Sequence, residues 1–152
     1  MELSLRLPSE IAREDIRPFI LRMEHAIMNH PQSKNGAELK SFIQVKHRFS
    51  DGQYLRECPI PKGQVVIGMI HRHDHPVFLL KGSARVLTET GGIEELVAPY
   101  YGISPAGTKR FLMTHEDTVW VTTHANPDNC RDIDVLEKRL VAETYGQLAE
   151  AV

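Results

Sequence analysis

Between Phe42 and Ala125 the chain falls into eight short runs of β-type residues: FIQVKHRF, QYLRECPI, QVVIGMIH, PVFLLK, SARVLTET, EELVAPYYGIS, TKRFLMT and TVWVTTH. Turn signals divide them at Ser50-Asp51-Gly52, Pro61-Lys62-Gly63, Lys81-Gly82, Gly91-Gly92, Pro105-Ala106-Gly107 and Glu116-Asp117. Short strands at such regular spacing predict an antiparallel sandwich or barrel. Nothing between them has the length or periodicity of a crossover helix, which argues against a parallel sheet.

The flanks read differently. Ile16, Phe19, Ile20, Met23 and Ile27 recur at helical spacing and predict an amphipathic packing helix. Asp15 is its expected cap, Pro18 falls in the tolerant first turn, and Pro31 should stop it near His30. QSKNGAELKS reads as a connector. The tail from Asn126 carries an apolar stripe of Ile133, Leu136, Leu140 and Val141, with Asp132 or Asp128 as cap. The expected organisation is one domain: a helical extension and connector over 1–41, a β-barrel over 42–126 and a C-terminal helix over 127–152. The end helices could cover a barrel mouth, close a sheet edge or join subunits.

Composition removes some classes of function. A formal net charge of -2 argues against a nucleic-acid binder. No apolar run approaches the roughly 18 residues of a membrane span. MELSLRLPSE lacks the basic flank and apolar core of a secretory leader. Cys58 and Cys130 lie far apart and read as free thiols of a reducing compartment, so a cytoplasmic location is expected.

One stretch, GMIHRHDHPVFLLKG, places His71, His73 and His75 at alternate positions before an apolar run that ends at Gly82. Downstream, PAGTKR supplies Pro105, Gly107 and Arg110. This order of histidine-bearing strand, apolar strand, glycine and Pro-x-Gly turn resembles the cupin superfamily. The longer stretch from Val45 to His124, with its phrases PAGTKR and HEDTVW, resembles a little-characterised cupin-like family of bacteriophages and bacteria. The resemblance implies a mainly β fold, a cupin-like jelly-roll β-barrel with N-terminal and C-terminal helices. It also implies a phage or bacterial origin, and a host cytoplasm if the chain is phage-encoded.

The match departs from the cupin metal pattern. With His71 on the second histidine of the first motif, Gly82 falls on its glycine, Met69 takes the first histidine slot and His75 takes the glutamate slot. Arg110 occupies the histidine slot of the second motif. In the cupin arrangement His71 and His75 face each other inside the barrel, while His73 and Asp74 sit at the turn, with His73 solvated. A third donor would be His124, which shares a strand face with Trp120, or His115, which precedes a turn and should be exposed. His25, His30 and His47 have no identifiable partners and read as surface residues.

Imidazoles with open positions would suit a divalent transition metal such as Zn, Fe, Ni, Cu or Mn. Arg110 cannot coordinate and would repel an ion, but it can grip a carboxylate or phosphate through a two-pronged hydrogen bond. Its plainer alternative is a surface salt bridge with Glu116 or Asp117. Lys109 and Arg110 cannot both point inward from a strand. Tyr100, Tyr101, Phe111 and Trp120 read as core or rim residues that could also line a pocket. No nucleophile elbow and no phosphate-cradling loop is present in the sequence. Cys58 reads as a packed thiol.

Three functions fit these features. The first is a small-molecule-binding protein with an anionic ligand, a metabolite or nucleotide-like molecule, held by His71, His75, Arg110, His124 and Trp120. If the chain is phage-encoded, the resemblance suggests a role in sequestering or modifying a host metabolite or signal nucleotide. The second is a metal-dependent cupin enzyme of dioxygenase or isomerase type, with His71, His75 and His124 on the ion and catalytic residues unknown. The third is a structural or assembly protein of a phage. A homodimer or higher homo-oligomer is expected, since open sheet edges favour association. Neither nucleic acid nor membrane is an expected partner.

Overall fold

The computed structural model describes residues 8–150. Most of the N-terminal stretch read as lacking a leader lies outside them. Two helices, α1 (Arg13–Met28) and α2 (Gly36–Phe42), precede the strands. Ten strands follow: β1 (Lys46–Ser50), β2 (Gln53–Ile60), β3 (Val65–Ile67), β4 (Ile70–His71), β5 (His75–Lys81), β6 (Ser83–Thr88), β7 (Gly92–Val97), β8 (Tyr100–Ser104), β9 (Phe111–Thr114) and β10 (Thr118–Ala125). The chain ends with α3 (Ile133–Leu140), a short strand β11 (Val141–Ala142) and α4 (Tyr145–Ala149).

All strand pairs are antiparallel. One sheet has the order β1-β2-β10-β5-β8 and a second has β3-β9-β6-β7. The two face each other as a jelly-roll barrel. Two of the sequence runs divide. QVVIGMIH breaks at Gly68-Met69 into β3 and β4, and EELVAPYYGIS breaks at Ala98-Pro99, where the chain passes from the second sheet to the first. Proline has no N–H for a ladder, which suits a strand end.

Alternation sorts the residues of the first sheet. Leu79, Trp120, Cys58 and Ile60 point inward and meet Ala84, Val86, Leu96 and Leu112 of the second sheet. Full burial of such side chains contributes about 1.5–3 kcal/mol each. The opposite face of the second sheet is also covered. Ile16 and Ile20 of α1 bury against Leu87 and Phe111, and Lys109 bonds Glu24 of α1 at 2.8 Å. Helix α1 is therefore a cover for a sheet face. Phe111 is core, but it belongs beneath the helix and not in the barrel.

Gly82 makes the turn between β5 and β6 at φ +84°, and a Cβ there would overlap the Asp117 carbonyl oxygen. Only glycine fits this combination of backbone conformation and close approach.

Three expectations about the flanks need correction. Asp15 does not cap α1; the cap position is Ala12, and Asp15 lies in the first turn, where its charge favours the helix dipole. Pro18 then falls in the second turn, still inside the helix. Part of the expected connector is helical, as α2. The tail is not one helix. Asp132 does cap α3 through the backbone N–H groups of Asp134 and Val135, but the chain turns extended at Val141. There it pairs with β4, Val141 against His71 and Ala142 against Ile70. Strand pairing at a vacant edge overrides the helical stripe.

Candidate metal and ligand site

The site grows from strand register. Trp120 lies opposite Leu79 and Thr122 opposite Val77. One further inward step on each strand brings His124 beside His75, with ring centroids 4.9 Å apart. On the outer sides of this pair, Tyr54 of β2 is opposite His124 and Ser104 of β8 is opposite His75. His71 arrives from β4, fixed by Val141 and by an Arg72 N–H that donates to the Leu140 carbonyl. Its ring lies 4.1 Å from His75 and 5.6 Å from His124, centroid to centroid.

A nitrogen from each of His71, His75 and His124 lies within 4.8 Å of the others. Their hydrogen bonding leaves lone pairs free. His75 Nδ1 donates to the His73 carbonyl at 3.1 Å, so its Nε2 carries the lone pair, and that nitrogen is buried without a partner. His71 Nδ1 is buried without a partner too. His124 Nε2 bonds the Thr122 hydroxyl at 2.9 Å; in the Nε2–H tautomer this leaves Nδ1 as the donor atom.

The environment keeps these rings neutral. Burial pushes His71 down to about 2, helped by His75, Arg110, His124 and Arg56. Burial likewise lowers His124 to about 4, with His75 and Arg56 adding to it. His75 is lowered by burial and by Arg110, against the opposing His73 carbonyl and Asp74. A metal needs neutral imidazoles, and orphaned buried nitrogens are costly unless something binds them. The donor set fits a divalent transition ion. Around a four-coordinate ion at about 2.0–2.1 Å the nitrogens stand roughly 3.3 Å apart, so the rings would have to draw in.

Arg110 points inward. Its Nη2 donates to Ser104 Oγ at 2.9 Å, and its guanidinium lies 4.8 Å from the Trp120 ring centre. Burial lowers it to about 10, so it stays charged at neutral pH. It makes no salt bridge with Glu116 or Asp117: Glu116 accepts from Ser83 and Asp117 from the Lys62 N–H. Lys109 turns the other way, to Glu24. A cavity of about 220 Å³ opens beside Arg110, bounded by Val77, Val86, Leu96, Tyr100 and Trp120, with Thr88 and the acidic Glu94 among its polar walls.

The other candidates lie apart. His73 is exposed, and Asp74 accepts from the Ala106 N–H, tying the two turns together. His115 is exposed and bonds Glu95 at 2.9 Å, far from being a third ligand. Tyr101 is 80% exposed. His25 and His30 make only local contacts, with Asn29 and the Gln32 N–H. His47 has a partner the sequence did not suggest, the Tyr54 hydroxyl at 2.6 Å.

Arg56 is the site residue that sequence reasoning passed over. It lies on β2 between the inward-facing Tyr54 and Cys58, and its Nη1 donates to Cys58 Sγ at 2.9 Å. The signal was present in QYLRECPI, whose alternation puts Arg56 on the same face as Tyr54 and Cys58. Burial raises the Cys58 thiol, against the opposing charge of Arg56, so it is protonated at neutral pH.

No protein-family model matches the chain. No curated protein matches it either. Solved structures do. KdgF from Halomonas sp. matches at 20% identity, covering 70% of this chain and 94% of that one, with a TM-score of 0.50. Ectoine synthase from P. lautus matches at 12% identity, covering 66% of this chain and 76% of that one, with a TM-score of 0.51. Among the described residues, no helix is long and apolar enough to cross a membrane. At these identities the likeness is one of architecture, and it establishes that this chain has the cupin-type jelly-roll fold.

Proposed function

We propose that the protein binds a small anionic molecule inside the barrel, beside a divalent transition ion held by His71, His75 and His124. One observation carries this reading: three neutral imidazoles converge inside the barrel, and two of their nitrogens are buried with no partner. Arg110 and Trp120 would position the anion, the guanidinium by charge and the ring by its face. A bound ion would act as a Lewis acid on an oxygen of that ligand. The cations nearby weaken a bare ion, and an anion offsets them.

A metal-dependent enzyme of dioxygenase or isomerase type is the second reading. Three protein ligands leave coordination positions free, as catalytic metal sites do. Sequestration of a metabolite in a phage-infected host, a homodimer and a cytoplasmic setting accompany the first reading by resemblance.

Metal analysis of protein purified without a histidine tag tests the proposal. The expected result is close to one equivalent of a transition ion, or its uptake on adding back. Less than about 0.1 equivalent with no uptake refutes the metal part.

A further inference from the structure

The barrel interior holds two guanidinium groups, and neither is ion-paired, although Glu94 lines the cavity beside Arg110 and acts on it through its charge. Among the described residues neither Arg56 nor Arg110 makes an ion pair. Arg56 has one side-chain bond, to the weak acceptor Cys58 Sγ, and Arg110 has one, to Ser104 Oγ. A guanidinium carries five N–H donors, so most are unused on each. The unbonded nitrogens of both forks reach solvent, since among the described residues the buried side-chain atoms without a partner are His71 Nδ1 and His75 Nε2, so both forks are open to a ligand.

Their placement brackets the histidines. Arg110 bonds Ser104, the strand neighbour of His75. Arg56 is opposite Thr122, whose hydroxyl bonds His124. A single acid group could answer one cation and would leave the other uncompensated. An ion on the histidines would add charge of the same sign.

We propose that the ligand is a small dianion with two separate acid groups, one gripped by Arg110 and the other by Arg56, lying across the three-histidine cluster. This rests on the reading of the barrel as an anion-binding pocket. It adds the number of acid groups and the residue that selects for the second. The apolar walls Val77, Val86 and Leu96 suit a short hydrocarbon spacer next to Arg110.

Calorimetric titration of the full chain, metal-free and zinc-loaded, tests it with succinate and glutarate against butyrate and inorganic phosphate. The better diacid should bind about tenfold or more tighter than butyrate, the scale of one charged hydrogen-bonded pair. Arg56→Gln and Arg110→Gln should each reduce that preference to about twofold or less. Arg56→Lys keeps the charge but loses the fork, and should retain part of it. Melting curves confirm that each variant is folded; if Arg56→Gln does not fold, Arg56→Lys carries the test.

Equal affinity for diacid and butyrate in the parent protein overturns the inference. So does an undiminished preference in Arg56→Gln, or phosphate binding as tightly as the diacid. Failure of the metal reading is separable. A diacid preference that needs Arg56, in protein that takes up no zinc, upholds this inference and removes only the ion. Zinc uptake with no binding of any carboxylate does the reverse.

Discussion

The two ends of the barrel interior are built on the same strands and behave in opposite ways. Inward residues run Leu79, Val77, His75 along β5, Trp120, Thr122, His124 along β10 and Cys58, Arg56, Tyr54 along β2. Within two inward steps each strand passes from packed hydrocarbon to titratable or charged groups. At the apolar end Leu79 and Ala84 are wholly buried and pack against Val86 and Leu112. At the other end, two buried nitrogens go without partners and neither Arg56 nor Arg110 makes an ion pair among the described residues. The first end supplies folding free energy. The second gives some of it up and leaves valences for a guest.

Substitutions should separate the two ends. The largest loss of stability should come from Leu79→Ala, about 2–5 kcal/mol in urea unfolding, because it opens a void in the packed half. Metal uptake by the folded variant should be unchanged; a matching loss of uptake would break the division. Acidification strikes the other end. Unfolded histidines take a proton below about 6.5, whereas folded His124 does so only near 4. The unfolded state therefore binds more protons below 6.5, and stability falls as pH falls. From pH 7 to 5 the metal-free protein should lose about 2 kcal/mol from His124 alone, with His71 adding to it. A flat profile in denaturant melts across that range would show the rings to be solvated.

Gly82→Ala strains the turn at the apolar end and should cost about 1–3 kcal/mol, again with metal uptake intact. The smallest stability effect belongs to the histidine end. His75→Leu removes an orphaned nitrogen and keeps comparable bulk, so metal-free stability should stay within about 1 kcal/mol of the parent. Metal uptake should nevertheless be lost. A cost as large as that of Leu79→Ala would mean that His75 is a structural core residue.

Much of this contrast was legible in the chain, and the illegible parts share a cause. The strand QYLRECPI runs from Gln53 to Ile60 as read, and Asp132 caps α3, because alternation and capping are local. The positions of His71 and His75 in a barrel followed from the cupin-like order of strand, glycine and turn. The partner of β4 could not be read. Val141 and Ala142 leave the helical stripe only because a distant strand edge is open to them. Asp15 lost its cap role because α1 begins a turn earlier than the apolar spacing indicates. Arg56 was readable by alternation but belongs to no motif, and attention to motif slots alone misses a charge on an inward face.

The central claim is that His71, His75 and His124 form one ligand set. X-ray absorption of the protein loaded with a single equivalent of zinc tests it most directly. The account predicts nitrogen donors at about 2.0–2.1 Å, outer-shell scattering from imidazole rings, and loss of that signature in His75→Leu. A spectrum of hydrated zinc, or one that His75→Leu leaves unchanged, would contradict it.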